Sequence, residues 1–388
     1  MERQTELDWL RGLMLVLMTI THLPTWFSSH VGQPFGFVSA AEGFVFLSAY
    51  LVGSVYTKTA QRHGFVEMRH AVWRRAAKVY AAQVALLVLL FVVLVPFART
   101  HVAHAITDLA SFYVEHPHTG FVSALLLAYN PPLLDILPMY VIFLLLSPPL
   151  LEYGARRGWG GLVGLSAATW LLAQHDGGRD MYGWLSSIIG WPVPYSQTGA
   201  FAFLAWQLLW VAGLRAGALN VAAADAGESA KPWSRSVLWP ATALALAFFA
   251  WRHITGQVPF GEHASLNALF DKWHLGPMRL LNFAVLAILV VQARGLLVAL
   301  AERSSIATMG RASLTVFAAH LVLCLVLLAT GGEALDPQHV SLLDGALLAG
   351  TLVTLYAIAR MTLGGAKVMA KWSSAAKAKA TVSARAVR

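Results

Sequence analysis

The chain has 388 residues, 57% of them hydrophobic and only 12% charged, with a formal net charge of +9. That balance excludes an ordinary soluble globular domain, in which about 25% of residues are charged, and makes lipid the expected solvent. The positive charge does not point to nucleic acid, because the cations fall in short segments between apolar runs, where they set orientation in a membrane.

Runs of about 17 to 25 apolar residues are long enough to cross a bilayer as helices. In chain order they lie at 9–27, 36–57, 77–97, 133–152, 160–174, 199–217, 237–252, 277–298, 312–330 and 341–363, the fifth and seventh being short. The expectation is an all-α fold, a polytopic membrane helix bundle of about ten transmembrane helices, with 1–363 as one domain and 364–388 as a basic tail resting on anionic lipid. MERQTELD leads into the first span without a small-residue cleavage site, so that span is read as an uncleaved helix.

The loops give the spans a direction. Lys58, Arg62, Arg69, Arg74, Arg75 and Lys78 lie between the second and third spans, Arg156 and Arg157 between the fourth and fifth, and Arg294, Arg303 and Arg311 between the eighth and ninth. The tail adds Lys367, Lys371, Lys377, Lys379, Arg385 and Arg388. The alternate loops carry acids instead: Asp176, Asp180, Glu262, Asp271, Glu333 and Asp336. Cations gather on the cytoplasmic side, so both termini are expected there. Residues 99–132 contain FVSALLLAY, too short to cross and read as re-entrant or interfacial, and 175–198 reads as a structured cap at the interface.

Ionisable residues inside these spans are costly and mark function. Arg11 and His22 share the first span. Eleven residues at about 100° each end roughly 20° past three turns, so both project from one face about 16 Å apart along the axis. Glu42 opens the second span at a depth similar to His22, Asp135 lies near the outer end of the fourth, and His320 lies near the middle of the ninth. These four groups from four helices are expected to converge on the outer half of the membrane. A histidine there can take a proton from a hydroxyl and return it to a leaving group, with Glu42 orienting its ring. The cations Arg69, Arg74, Arg75 and Lys78 either grip the phosphates of a cytoplasmic donor such as coenzyme A or carry the orientation signal alone. Cys324 is the only cysteine, which leaves no intrachain disulfide or thiolate metal site. No metal and no tightly bound cofactor is expected.

An Arg, ten intervening residues and a His in the first span, AAEGFVFLSAYLVG in the second and RRAAKVY at the start of the third resemble the membrane acyltransferase-3 superfamily. MGRASLTVFAAHLVL, with His320, is similar to that group's late-helix pattern. More narrowly, ELDWLRGLMLVLMTITHLP, SAAEGFVFLSAYLVG, FLAWQLLWVAG and DKWHLGPMRLLNF resemble the OpgC family, associated with succinylation of osmoregulated periplasmic glucans. Ala49 departs from a Ser-Gly-Tyr common in the family.

The resemblance implies an acyl-CoA-dependent O-acyltransferase of the bacterial inner membrane. Succinyl-CoA or acetyl-CoA would be the donor and a periplasmic glycan the acceptor. His22 would be the general base, Glu42 its partner, and Arg11 a residue that holds the donor or the pore. Asp135, Trp206, Gln207, Asp271 and Lys272 become acceptor-side or structural candidates. An ion-coupled transporter of a glycan or small polar solute is the main rival, and a haem carrier built on His22 and His320 a weaker one. Lipid-facing surfaces would also permit a homodimer.

Overall fold

The computed structural model describes residues 4–386 except Val102, Asp176, 229–231, Arg303 and 332–339, and describes no side chain at Ser29 or from residue 366 onward. Asp176, Arg303, Glu333, Asp336 and Arg388 therefore lie outside the described residues, as do the side chains of the other cations of the tail. Those described form helices and irregular connections, with no strand among them.

The first helix, α1, spans Thr5–His22. It stops at His22, short of the expected 27, because Pro24 disfavours the helical conformation for the residue before it and Leu23 turns extended, with φ −67° and ψ 134°. Helix α2 spans Ala40–Val88 and is broken at Gly64, where φ is 82° and ψ 168°. Only a residue without a Cβ adopts that backbone readily. The Tyr56 hydroxyl donates to the Ala71 carbonyl at 3.5 Å across the bend; a straight helix would separate the two residues by about 22 Å. A π-helical turn at Leu89–Leu94 and a last segment, Val95–His101, complete this arm.

Further on come α3 (Ile136–Arg157), α4 (Gly160–Ala173), α5 (Phe203–Asp225), α6 (Arg235–Thr255), α7 (Pro277–Gln292), α8 (Ser305–Arg311), α9 (Ser313–Gly331) and α10 (Leu342–Ala386). Among the described residues, five helical segments are long and apolar enough to cross a membrane: Ala40–His101, Ile136–Arg157, Arg235–Thr255, Ser313–Gly331 and Leu342–Gly365. A sixth appears if α7 and the following Arg294–Ala301, bent by 70° against it, count as one. The other expected spans fall short for visible reasons. Helix α1 carries Glu6, Asp8 and Arg11, α4 has 14 residues, and α5 is interrupted by Gln207, Arg215 and Asn220.

Between 99 and 132 the chain forms the short helices His104–Leu109, Ser111–Glu115 and Pro117–Leu125, and the expected cap contains the helix Gly177–Ile189. Small residues let the main helices approach closely, as is usual where helices pack in lipid. A Cβ at Gly217 would lie 2.1 Å from the Tyr50 carbonyl oxygen, and one at Gly213 would lie 2.6 Å from the Ala49 Cβ. Ala49 is thus wholly buried at the contact between α2 and α5.

Helix α1 crosses α8 even more tightly. A Cβ at Gly310 would sit 1.8 Å from the Asp8 carbonyl oxygen, and one at Gly12 1.9 Å from that of Ile306. Both obstacles are main chain and cannot swing away. Gly310→Val should therefore destabilise the protein by at least about 1–3 kcal/mol, read as a lower melting temperature in detergent; an unchanged melting temperature would mean that this crossing is looser.

Candidate active site

Helix α1 carries Arg11 and His22 to one neighbour. The Arg11 guanidinium donates to the Ser313 hydroxyl at the start of α9. Eleven residues along α1, His22 Nδ1 meets Nε2 of His320, also on α9, at 3.0 Å, with the rings stacked 5.2 Å apart. The shared face inferred from spacing is therefore the face α1 presents to α9. His320 is fully buried, and the Phe317 ring stands edge-on to it at 4.9 Å.

Glu42 is placed elsewhere than against His22. One carboxylate oxygen accepts from the Ser39 N–H at 3.0 Å and from the Ser39 hydroxyl, closing the first turn of α2. The other takes the Arg279 Nε–H in a wholly buried ion pair. Ser-Ala-Ala-Glu at 39–42 is a capping box, in which Glu at the third helical position reaches back to the cap. The hydrogen-bond partner of His22 is therefore His320, while Glu42 bonds to Ser39 and Arg279. Sequence reasoning missed Arg279, although it is an arginine in the first turn of an apolar helix and the rule that singled out Arg11 applies to it equally.

The loop 271–276 is clamped from two helices. Trp170 Nε1 donates to the Leu275 carbonyl at 2.9 Å, Gln174 Nε2 to that of His274 at 2.6 Å, and Trp206 Nε1 and the Ala202 N–H to that of Trp273, both at 3.0 Å. Leu275 is held at a φ of 52°, unusual for a residue with a Cβ. Asp271 accepts from the His274 N–H at 2.7 Å and meets its Nδ1 at 2.8 Å. Burial tends to raise the Asp271 carboxyl, but these bonds outweigh it and hold it below its usual range.

The clamp aims Lys272 inward. Its ammonium lies 4.5 Å from the Trp273 ring centre and 5.6 Å from that of Phe201. Burial pulls this ammonium below its usual pKa; Glu42 and Asp135 oppose that and Arg279 adds to it. The Lys272 charge also acts on His22. Lys272, Glu42, Asp135, Arg279 and His22 accordingly share one electrostatic neighbourhood, with His320 joined through His22.

The remaining candidates divide. Asp135 precedes α3 and accepts from the Ala200 N–H at 3.0 Å, tying two connections together. Trp206 spends its one donor on the loop. The Gln207 oxygen accepts from the Ser166 hydroxyl at 2.6 Å and its nitrogen donates to the carbonyls of Ser166 and Leu204 at 2.8 and 3.0 Å. Trp206 and Gln207 thus tie α5 to the 271–276 loop and to α4. Arg69, Arg74, Arg75 and Lys78 sit beyond the bend of α2, away from the His22 cluster in sequence. Arg74 is exposed and pairs with Glu67 at 2.7 Å.

Taken together, these features define an all-helical membrane protein with a histidine pair and a buried carboxylate–guanidinium pair in one polar cluster. The chain belongs to the OpgC family, whose model, described as OpgC protein, matches residues 3–372. No curated protein and no solved structure matches it.

Proposed function

We propose that this protein is an acyl-CoA-dependent O-acyltransferase of the acyltransferase-3 type, moving a succinyl or acetyl group from cytoplasmic acyl-CoA to a hydroxyl of a periplasmic glycan. An osmoregulated periplasmic glucan is the acceptor that family membership favours. The observation that carries the reading is the His22–His320 hydrogen bond, with His320 fully buried, in a chain of this family. In this reading His22 Nδ1–H donates to His320 Nε2, leaving His22 Nε2 unprotonated as the base. It takes the proton of the glycan hydroxyl as that oxygen attacks the thioester carbonyl. The C–S bond breaks, the ester forms, and the proton passes from His22 to the departing thiolate.

Ten crossings with both termini cytoplasmic, in a bacterial inner membrane, agree with how the helix ends gather. Asp135 with Ala200 and Gln33 with Arg252 meet at one end. Gln61 with Asp225 and Glu6 with Arg294 meet at the other. The bend at Gly64 then separates two crossings within α2. The coenzyme A phosphates rest on Arg69, Arg74, Arg75 and Lys78, and the pantetheine arm runs inward past Arg11. The arm is long enough for this, because Arg11 and His22 lie only about 16 Å apart along the axis.

Mass spectrometry of periplasmic glycans from cells with and without the gene tests the reaction directly. One acyl mass increment that depends on the gene is expected, and its absence, together with no transfer from acyl-CoA by the pure protein, would sink the proposal. Replacing Arg74 and Arg75 together by alanine should weaken acyl-CoA binding by about 10-fold or more, as loss of charge-assisted contacts requires. Unchanged affinity by titration calorimetry would return those residues to orientation alone.

A further inference from the structure

A half-open cavity of about 920 Å³ lies where α2, α5 and the turn from α3 to α4 meet, and none of the His22 cluster lines it. That volume is at the upper end of the roughly 300–1,000 Å³ usual for small-molecule sites. Most of its wall is apolar, from Phe65, Leu151, Trp159, Val163, Leu219 and Ala222, while Thr57, Gln61 and Arg215 bring polar groups to it. Two of the nearby polar side chains are already engaged. Gln61 donates to Asp225 at 2.8 Å, and Arg156, whose guanidinium lies 5.2 Å from the Phe65 ring centre, pairs with Glu152 at 2.8 Å. Arg215 makes no hydrogen bond and no ion pair among the described residues.

The packing of α5 fixes the depth of that arginine. Two residues further on, the Gly217 carbonyl accepts from the Ser54 hydroxyl of α2 at 3.2 Å, and five residues earlier Trp210 Nε1 donates to the Ser147 hydroxyl of α3 at 3.0 Å. Both neighbours belong to segments long and apolar enough to cross a membrane. Arg215 stands ten residues before Asp225, the end of α5, and so about 15 Å inside it. An arginine at such a depth is costly, and those that persist face a cavity and find a partner there. Here the cavity is present, and the partner has to come from outside the chain.

We propose that this cavity binds the head and glycerol of an anionic phospholipid of the cytoplasmic leaflet, with the lipid phosphate on Arg215. Basic recesses between membrane helices on that side hold such heads. A free phosphate would answer Arg215 and leave the apolar wall facing water, whereas a lipid covers both. Val163 and Leu219 are 36% and 42% exposed at the cavity wall, so the acyl chains leave it over apolar surface. This inference rests on the proposed membrane orientation and not on the transfer chemistry.

The test uses the full-length protein in detergent micelles carrying equal amounts of phosphatidylglycerol and phosphatidylcholine, read by native mass spectrometry. One phosphatidylglycerol per chain should be retained at least about 5-fold over phosphatidylcholine, the factor that one basic group near a membrane surface supplies. Arg215→Gln should bring that ratio close to one, and Arg215→Lys should restore most of it. A preference unmoved by Arg215→Gln would overturn the site. So would displacement of the lipid by inorganic phosphate, which would make this a free-anion site, or by acyl-CoA at equal concentration, which would give the cavity to the donor. If Arg215→Gln does not fold, a phosphatidylglycerol with a photoreactive group in its glycerol region decides on the wild type. Adducts within 151–163 or 215–222 are expected, and adducts only elsewhere would overturn the proposal. No arm reads acyl transfer, so failure here leaves the proposed function standing.

Discussion

On the proposed mechanism, His22→Ala should lower acyl transfer by about 10²–10⁴-fold, the usual contribution of a general base, while membrane insertion and acyl-CoA affinity should stay close to wild type. The affinity should survive because the proposed phosphate grip lies at Arg69, Arg74, Arg75 and Lys78, on the far side of the Gly64 bend, and His22 touches none of it. His320→Ala should act through His22. It removes the group that meets Nδ1 at 3.0 Å, so the ring loses its fixed tautomer and kcat falls while KM for the donor changes little. His320→Gln keeps an acceptor near Nδ1 and should recover part of the loss. Single-turnover rates and melting temperatures on the same preparations separate these effects from misfolding. Retained turnover in folded His22→Ala would remove His22 from the chemistry. A His320→Gln variant no better than His320→Ala would argue that His320 does more than hold the ring.

Much of this arrangement was readable from residue spacing, and the failures have physical causes. Arg11 and His22 were placed on one face by the helical repeat, and both meet α9, at Ser313 and at His320. That inference needed only local geometry. Glu42 was assigned by depth alone. Depth says which groups lie at one level but not which way a side chain turns, and the capping geometry at Ser39 turned Glu42 toward its own helix end and Arg279. Trp206 and Gln207 look like sugar-binding side chains in sequence, yet each bonds to a distant segment, at Trp273 and Ser166. Long-range partners of that kind leave no periodic signal. The placement of Lys272 depends on a loop held by Trp170, Gln174 and Trp206, which lie 67 to 105 residues before the carbonyls they bind. Span lengths fared less well where charge or a bend intrudes, as in α1 and at the junction after Gln292, because a run of apolar letters does not record where the axis turns.

Breaking the Glu42–Arg279 pair should cost about 3–5 kcal/mol, as expected when one member of a buried ion pair is left alone. Both residues are at or below 2% exposure, so water cannot readily replace the lost partner. Glu42→Ala should be the worst single change, since it strands the guanidinium and also removes the cap on the Ser39 N–H. Glu42→Gln keeps an oxygen for that cap and should lose less. Arg279→Met strands the carboxylate in turn but leaves the Ser39 cap in place. The double replacement Glu42→Leu with Arg279→Met leaves no buried charge and should be more stable than the sum of the single losses predicts, a coupling readable by a double-mutant cycle on thermal or denaturant unfolding. Activity should not follow stability back. A double variant that regains its fold and stays poor in transfer would show that Glu42 or Arg279 serves the reaction besides the packing of α2 on α7. A double variant that recovers both would show that the pair only holds α2 to α7.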